Sequence, residues 1–246
     1  MLVCMFIVGA CVRMQLFPLP KSATTDVKLL IDKNVTRRTA RYPIGGFPKR
    51  ILDIAISSAA LLAFAPLFGF IALLLKIADR GPVLFQQTRV GFRSSGFACL
   101  KFRTMVIDGN AVLARHLREF PEAATEWAET RKLKRDPRVT ELGRVLRQLS
   151  LDELPQLWNV LRGDMSIVGP RPIVFDEIKM YGPSAGHYLL ARPGLTGAWQ
   201  ISGRNDVSYE CRVSLDRDYV ENWSFWKDLK IIVKTIPVVI AAKGTY

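Results

Sequence analysis

The architecture depends first on residues 54–75, which read IAISSAALLAFAPLFGFIALLL and contain no charged side chain. Charged residues bound the stretch on both sides, with Asp53 before it and Lys76 after it. As one straight helix the stretch would be about 33 Å long, and the hydrocarbon core of a bilayer is about 30 Å thick. It is the one segment of the chain with the length to cross a membrane.

A proline inside this stretch argues against a straight span. Pro66 lacks an amide hydrogen and disfavours helical geometry at Ala65, so we expect a break or a sharp kink there. Basic residues lie on both sides of the stretch: Arg37, Arg38, Arg41, Lys49 and Arg50 before it, and Lys76, Arg80, Arg89 and Arg93 after it. Because cytoplasmic flanks carry the excess of Lys and Arg, the sequence favours a re-entrant hairpin helix with both ends cytoplasmic. A simple span is the alternative.

Composition limits the class of protein. The 246 residues include 35 Lys and Arg against 22 Asp and Glu, a formal net charge of +13, and 49% are hydrophobic. This composition excludes a disordered tail and predicts one domain of roughly 150 to 200 residues with an appendage. The four cysteines show no C-x-x-C spacing, and the chain has only two histidines. We therefore expect neither a zinc site nor a disulfide framework, and a reducing compartment fits best.

The chain divides into three segments. Residues 1–46 are basic and polar after a short apolar start, and we expect them to form a flexible leader. We expect residues 47–78 to form the re-entrant membrane helix. Residues 79–246 have the pattern of a compact, mainly helical α/β domain.

Within that domain the pattern predicts a β-hairpin from residues 83–88 and 97–104, and helices over 111–130 and 153–161. Residues 223–240 combine lysines, an apolar face and an initial Trp. That pattern is typical of an amphipathic helix at a membrane interface, and equally of a helix packed in the core.

The most informative window for chemistry is RQLSLDELPQLWNVLRG, residues 147–163. Four apolar residues recur there at helical spacing: Leu154, Leu157, Trp158 and Leu161. If Asp152 is the N-cap, Pro155 falls at the third helical position, where no amide donor is needed. Asp152 would then only cap the helix. Alternatively, because a helix N-terminus binds phosphate, a carboxylate there would face a bound phosphate.

An anionic nucleophile repels a phosphate unless cations offset the charge. Lys101 and Arg103 lie two apart in a predicted strand, so they project from one face. Arg147 precedes Asp152 by five residues, and Arg171 is held between two prolines. Taken singly, each of these basic residues is best interpreted as a surface charge. Because they are concentrated around one acidic pair, we expect a phosphate site there.

Five motifs occur in order along the chain: KFRTM at 101–105, LDELPQ at 151–156, MSIVGPRP at 165–172, PGLTGAWQ at 193–200 and SGRN at 202–205. Over about residues 47–246 they resemble the motif set of the bacterial sugar transferases that start polysaccharide assembly on polyprenyl phosphate, the small monotopic phosphoglycosyl transferases. The likeness is greatest to exopolysaccharide initiators of the undecaprenyl-phosphate galactose phosphotransferase type. The resemblance also implies a re-entrant membrane helix.

The resemblance implies a role for each matching residue. Asp152 would attack the phosphate that bears the sugar of a UDP-hexose and release UMP, and Glu153 would help hold Mg²⁺. The implied phosphate-binding residues are Lys101, Arg147 and Arg171, with Arg103 and Arg204 as weaker candidates. Undecaprenyl phosphate would then take the hexose-1-phosphate from Asp152, initiating exopolysaccharide synthesis. The implied location is the bacterial inner membrane, among its lipids, with the catalytic domain on the cytoplasmic face. No residue separates galactose from glucose, and nothing indicates the oligomeric state.

Two alternatives come from other classes. The D-x-D formed by Asp216 and Asp218 could hold a metal in a conventional UDP-sugar glycosyltransferase, but residues two apart in a predicted helix lie on different faces. The charge of +13 could instead mark a non-enzymatic, membrane-tethered basic protein. We expect no nucleic-acid partner, because no nucleic-acid motif is present and anionic lipid headgroups account for the charge.

Overall fold

The computed structural model describes residues 41–130, 133–202 and 208–240, so most of the predicted leader lies outside the described residues. The fold is a mainly helical α/β arrangement with small sheets, as predicted. The α-helices are α1 Gly46–Ala63, α2 Ala65–Ala78, α3 Gly109–Glu119, α4 Pro121–Thr130, α5 Glu141–Gln148, α6 Gln156–Arg162, α7 Ala185–Tyr188, α8 Tyr209–Glu221 and α9 Phe225–Ile240. The strands are β1 Leu84–Val90, β2 Gly96–Phe102, β3 Ser166–Val168 and β4 Gly194–Thr196, and short 3-10 segments cover Phe92–Ser94, Leu151–Glu153 and Phe175–Ser184.

The long apolar stretch forms α1 and α2, which are bent by 59° at Phe64. Pro66 occupies the first turn of α2, where its missing amide hydrogen interrupts the backbone hydrogen bonds between the two helices. The predicted break at Pro66 is confirmed. Among the described residues no single helix combines the length and hydropathy to cross a membrane, whereas this bent pair meets the length and composition of a broken span or a re-entrant loop. Membrane re-entry itself stays a prediction.

The predicted β-hairpin is confirmed. Strands β1 and β2 pair antiparallel, with Phe85 opposite Lys101 and Arg89 opposite Phe97. Because side chains alternate between the two faces of a strand, Arg89 and Lys101 project from the same face of this hairpin.

The predicted helix over residues 111–130 was wrong in one respect, because it is two helices, α3 and α4. Pro121 is the first residue of α4. A proline cannot continue a preceding helix but is well suited to the first turn of the next. The 153–161 prediction was wrong at its start, since α6 begins at Gln156.

The core gathers around the parallel pair of β3 and β4. Its buried members are Phe97, Cys99, Leu157, Val160, Met165, Ile167, Val168, Ala191, Tyr219, Val220 and Ile231. Helix α9 contributes Ile231 to this cluster while Trp226, Val233 and Ile236 are exposed. Core packing is therefore confirmed for one side of α9, and contact of its exposed side with a membrane surface stays a prediction.

A buried ion pair joins the first turn of α1 to α9. Lys49 Nζ lies 2.6 Å from Asp228 Oδ2 and donates a hydrogen bond to the Tyr219 hydroxyl at 3.1 Å. Asp228 also accepts hydrogen bonds from the Tyr219 hydroxyl and from the indole N–H of Trp223. The Lys49 and Asp228 side chains are only 6% and 0% exposed, so neither charge has water as an alternative partner.

Two further side chains of α1 hold the elements that flank the polar site described below. Arg50 donates to the backbone oxygens of Val160 at 2.6 Å and Leu161 at 2.7 Å, near the C-terminus of α6. Asp53 Oδ1 accepts from the Ser166 hydroxyl and from the Ile167 amide, each at 2.9 Å, in β3. The helix that carries the apolar stretch is therefore part of the framework of the globular domain.

Candidate active site

Asp152 and Glu153 lie in the 3-10 turn between α5 and α6. Ser150 precedes this turn in the left-handed region, with φ 55°, and the Leu154 amide closes it on the Leu151 carbonyl. The residue at the start of α6 is Pro155, and neither helical segment has a side-chain cap. The alternative in which Asp152 only caps the helix was therefore wrong. The carboxylate does not serve the backbone in this way, although it is almost buried.

Among the described residues, Lys101 is the cation nearest to this acidic pair. Its Nζ lies 2.6 Å from Glu153 Oε1 and 3.8 Å from Asp152 Oδ2. The Asp152 side chain is 11% exposed and the Glu153 side chain 36% exposed. One ammonium group thus faces both carboxylates, which differ in how far water reaches them.

The surroundings move the pKa values of the two carboxyls in opposite directions. Burial raises the pKa of Asp152, and the negative charge of Glu153 adds to this effect, against the opposing charges of Lys101 and Arg147. Burial also acts to raise the pKa of Glu153, but Lys101, Arg171 and Arg89 together outweigh it and leave that pKa below its usual value. Paired carboxyls with separated pKa values are typical of sites in which the two groups have different tasks.

Helix α5 places Arg147 beside the pair. A side chain at Gly143 would overlap the Thr104 carbonyl, so the glycine allows α5 to approach the KFRTM motif closely. One turn further along, Arg147 Nε donates to the Thr104 hydroxyl at 3.0 Å. Its positive charge acts to lower the pKa of Asp152, as is expected of a cation in the vicinity of that carboxylate.

Arg171 reaches the site from the segment after β3. Its guanidinium carbon lies 5.4 Å from the ring centre of the buried Trp199, within the range of a cation–π contact. Its charge lowers the pKa of Glu153. The structure thus brings Lys101, Arg147 and Arg171 to one pair of carboxylates.

The other two candidate cations lie elsewhere or outside the described residues. Arg103 follows β2 and pairs with Asp79 just after α2, with 3.2 Å between Nη2 and Oδ2 and a hydrogen bond to the Asp79 carbonyl. Arg103 therefore does not share the side of Lys101, because the strand ends at Phe102 and alternation no longer applies. Arg204 lies outside the described residues.

Arg89 also belongs to the site, although the sequence analysis did not identify it as a site residue. It donates to the Pro172 carbonyl at 3.3 Å, and its charge lowers the pKa of Glu153. The sequence holds a signal for it, because the hairpin register places Arg89 on the same face as Lys101.

The structure does not support the alternative in which Asp216 and Asp218 of α8 hold a metal together. Asp216 is buried and accepts the Tyr181 hydroxyl at 2.9 Å, whereas Asp218 is exposed and pairs with Lys227 at 2.7 Å. The two carboxylates have separate surroundings and separate partners, so they do not form a shared metal site.

The acidic pair offers oxygen ligands of the kind that Mg²⁺ takes. Across residues 41–130, 133–202 and 208–240 no group of three or more His, Cys, Asp or Glu side chains is arranged to hold a metal. Mg²⁺ often uses one or two carboxylates together with substrate phosphates and water. Glu153, the more exposed of the two carboxylates, fits that partial ligand set.

Comparison with known proteins agrees with this geometry. A family model described as bacterial sugar transferase matches residues 44–242. The chain is 55% identical over 204 residues to the exopolysaccharide production protein ExoY of Rhizobium meliloti, covering 83% of this chain and 90% of that protein. It is 48% identical over 223 residues to the undecaprenyl-phosphate galactose phosphotransferase of Salmonella typhimurium, covering 90% of this chain and 45% of that protein. It is 40% identical over 207 residues to the UDP-glucose:undecaprenyl-phosphate glucose-1-phosphate transferase of Caulobacter vibrioides, covering 80% and 72%.

The chain therefore belongs to the bacterial sugar transferase family. The family predicted from the five motifs is confirmed.

Proposed function

We propose that this protein transfers hexose-1-phosphate from a UDP-hexose to undecaprenyl phosphate and so initiates exopolysaccharide synthesis. The observation that carries the proposal is the position of Asp152: a nearly buried carboxylate, not used as a helix cap, with Lys101, Arg147 and Arg171 gathered around the acidic pair. The names of the relatives support the same substrates.

In the first half-reaction an Asp152 carboxylate oxygen attacks the phosphorus that bears the hexose. A bond forms from that oxygen to phosphorus, and the bond from the same phosphorus to the bridging oxygen of the diphosphate breaks, so that UMP leaves with the electron pair. The ionised form of Asp152 is required, since a protonated carboxyl is a poor nucleophile. Lys101 and Arg147 favour that form against burial.

In the second half-reaction a phosphate oxygen of undecaprenyl phosphate attacks the same phosphorus. The bond from phosphorus to Asp152 breaks, the carboxylate is restored, and undecaprenyl-diphosphate hexose is the product. Two half-reactions allow one nucleophile to serve a water-soluble donor and a membrane-bound acceptor in turn.

The cations have separable tasks in this scheme. Lys101 holds Glu153 and faces Asp152, so it orients the acidic pair and offsets the charge that develops on the phosphoryl oxygens. Arg171, exposed and set between two prolines, binds the diphosphate. Glu153, together with substrate oxygens, would hold Mg²⁺, which when bound would neutralise diphosphate charge.

Galactose is the hexose that we propose. Two relatives at 48% and 44% identity are named for galactose, and two at 40% are named for glucose. We further propose that the protein lies at the cytoplasmic face of the bacterial inner membrane, with the α1–α2 pair re-entering the bilayer. The basic residues on both flanks of this pair support that placement.

The test uses the full chain in detergent or lipid with Mg²⁺ and UDP-galactose labelled in the phosphate next to the sugar. Without acceptor, label should become attached to protein and UMP should be released; undecaprenyl phosphate should then remove the label. Parallel reactions with UDP-glucose decide the sugar. Release of UDP, or turnover without labelled protein, contradicts the two-step mechanism.

The decisive variant is Asp152→Asn, with the exposed Asp176→Asn as its control. The amide cannot form the phosphate ester, so labelling and turnover should be lost. Because burial raises the pKa of Asp152, the ionised carboxylate is less stable in the folded chain than in the unfolded one, and this penalty is fully present at a pH well above that raised pKa. The variant should therefore melt no lower than the wild type at that pH. Retained turnover would exclude Asp152 as the nucleophile.

A further inference from the structure

An exposed aromatic ring lies beside the candidate active site and takes no part in the mechanism above. Phe85, in β1, is directly opposite Lys101 in the antiparallel pair of β1 and β2. Residues paired in this way project from the same face of a hairpin, with their Cβ atoms about 5 Å apart. Phe85 keeps 51% of its surface exposed. The residue whose ammonium faces both carboxylates thus has a large, accessible apolar group as its cross-strand neighbour.

The other apolar side chains on this face of the hairpin are treated differently. Phe97 and Cys99 of β2 share the face with Lys101, and both are buried in the core. Exposure alone would assign no role to Phe85, because single apolar side chains are common on protein surfaces. Its position directly beside a cation of the acidic pair is what distinguishes this ring.

One apolar cluster joins α2, the start of β1 and the turn that holds the acidic pair. The residues that these three elements contribute are Ile71, Leu75, Leu84, Leu151 and Leu154. Leu84 precedes Phe85 in β1, so the two side chains project from opposite faces of the strand. Helix α2 also carries three exposed apolar residues, Phe70, Leu73 and Ile77. Phe85 therefore lies on a strand that packs directly against the apolar helix and against the turn of Asp152.

This arrangement suits a ligand that has an anionic end and an apolar group attached directly to it. A cation binds the phosphate, and the neighbouring ring offers a surface to the apolar group. In the donor of the proposed reaction, polar sugars flank the diphosphate on both sides, and the uracil base is separated from it by a ribose. In the acceptor, a prenyl chain is joined directly to a single phosphate. The acceptor therefore matches the pairing of Lys101 with Phe85.

We propose that Phe85 is an acceptor-binding residue: the first prenyl units of undecaprenyl phosphate pack on its ring while the phosphate lies at Lys101. The inference rests on the proposed function and names the substrate that this side of the site serves. The prenyl chain then leaves the site over Phe85 toward α2, whose exposed apolar residues offer the same kind of surface.

Two substitutions separate apolar packing from aromatic stacking. Phe85→Ser removes the apolar surface, whereas Phe85→Leu keeps most of it without a ring. A prenyl chain can pack on Leu, but a stacked uracil base requires the aromatic ring. The matched control is Phe120→Ser, because Phe120 is 52% exposed and lies at the junction of α3 and α4. Since both positions are exposed, we expect all three variants to fold.

The two half-reactions allow the substrates to be tested separately. The full chain in lipid with Mg²⁺ is labelled from UDP-galactose, and removal of the label is followed over a range of undecaprenyl phosphate concentrations. Phe85→Ser should raise the concentration for half-maximal removal about tenfold, because apolar contact is lost, and should change the labelling rate by less than about twofold. Phe85→Leu should raise that concentration by less than about threefold, and Phe120→Ser by less than about twofold.

Two results of this experiment would overturn the assignment. One is an unchanged dependence on undecaprenyl phosphate in Phe85→Ser. The other is slower labelling by the donor in both Phe85→Ser and Phe85→Leu, which would assign the ring to the uracil base instead.

A binding measurement without turnover separates this inference from the proposed reaction. Undecaprenyl phosphate in detergent is titrated, without donor, into the Asp152→Asn chain, and adding Phe85→Ser should weaken its binding about tenfold. Inorganic phosphate has the anionic end without the chain, so it should compete with the acceptor and bind equally well with and without Phe85→Ser. Equal acceptor affinity, or failure of phosphate to compete, would overturn the proposal. Absence of labelling in the wild type, with the affinity difference intact, would count against the proposed reaction and not against Phe85.

Discussion

At the scale of single residues, Lys101 links the two carboxyls of the candidate site. Its ammonium contacts Glu153 directly and Asp152 at longer range. Its charge acts to lower the pKa of both groups, so its removal should affect ionisation as well as phosphate binding.

Replacing Lys101 with Met should reduce the rate of protein labelling by about 100-fold, because a preorganised charge at the phosphate is lost. The labelling rate falls on acidification as Asp152 becomes protonated. In the variant this fall should occur at higher pH, since the pKa of Asp152 rises further. The measurement is the single-turnover labelling rate across a pH series, with the exposed Lys134→Met as control. A slower reaction with an unmoved acidic limb would show that Lys101 does not govern the ionisation of Asp152.

At the scale of elements, the buried pair between α1 and α9 predicts an asymmetric response to mutation. Lys49→Met leaves Asp228 charged without its cation, which costs about 3–5 kcal/mol. The double change Lys49→Met with Asp228→Leu removes both charges and should recover part of that loss. The free energy of unfolding from denaturant titration is the measurement.

The exposed pair of Lys227 and Asp218 provides the comparison, since Lys227→Met should cost no more than about 1 kcal/mol. If the two changes at Lys49 and Asp228 simply add, the buried contact does not stabilise the attachment of α1.

The break between α1 and α2 predicts the topology of the chain. Single cysteines near Lys49 and near Arg80, in a background without the native cysteines, should both resist a membrane-impermeant thiol reagent added to intact cells. Pro66→Leu restores the missing amide hydrogen and favours a continuous helix, so it should make one of the two sites reactive. Reactivity of one site before this change would establish a span.

The helices and strands could be predicted from the sequence where neighbouring residues alone determine them. Pro66 and the alternation in 83–104 are local signals, and they gave the helix break and the hairpin correctly. The cap assignment of Asp152 failed because Pro155 delays α6 while a 3-10 turn holds the acidic pair, a choice that depends on packing against the hairpin. The contact of Arg171 with Trp199 joins residues 28 positions apart, and no periodicity in the sequence indicates it.

At the scale of the whole molecule, the net charge of +13 predicts attraction to anionic membranes. The protein should co-float with vesicles that contain phosphatidylglycerol more than with purely zwitterionic vesicles. The difference should shrink as salt is added, because screening shortens the range of the attraction. Comparable binding to duplex DNA, measured at the same salt, would instead favour a general basic surface.

The contacts of Arg50 and Asp53 with α6 and β3 have a consequence for how such enzymes can diversify. Domains that are merely tethered can exchange their anchors by recombination. Here a chimera that joins an unrelated segment to residues 79–246 in place of the α1–α2 pair would leave the end of α6 and the start of β3 without their partners, even if that segment bound a membrane. We therefore expect such chimeras to be inactive even when they are correctly localised. Sequence change in evolution should therefore leave α1 together with the domain it supports.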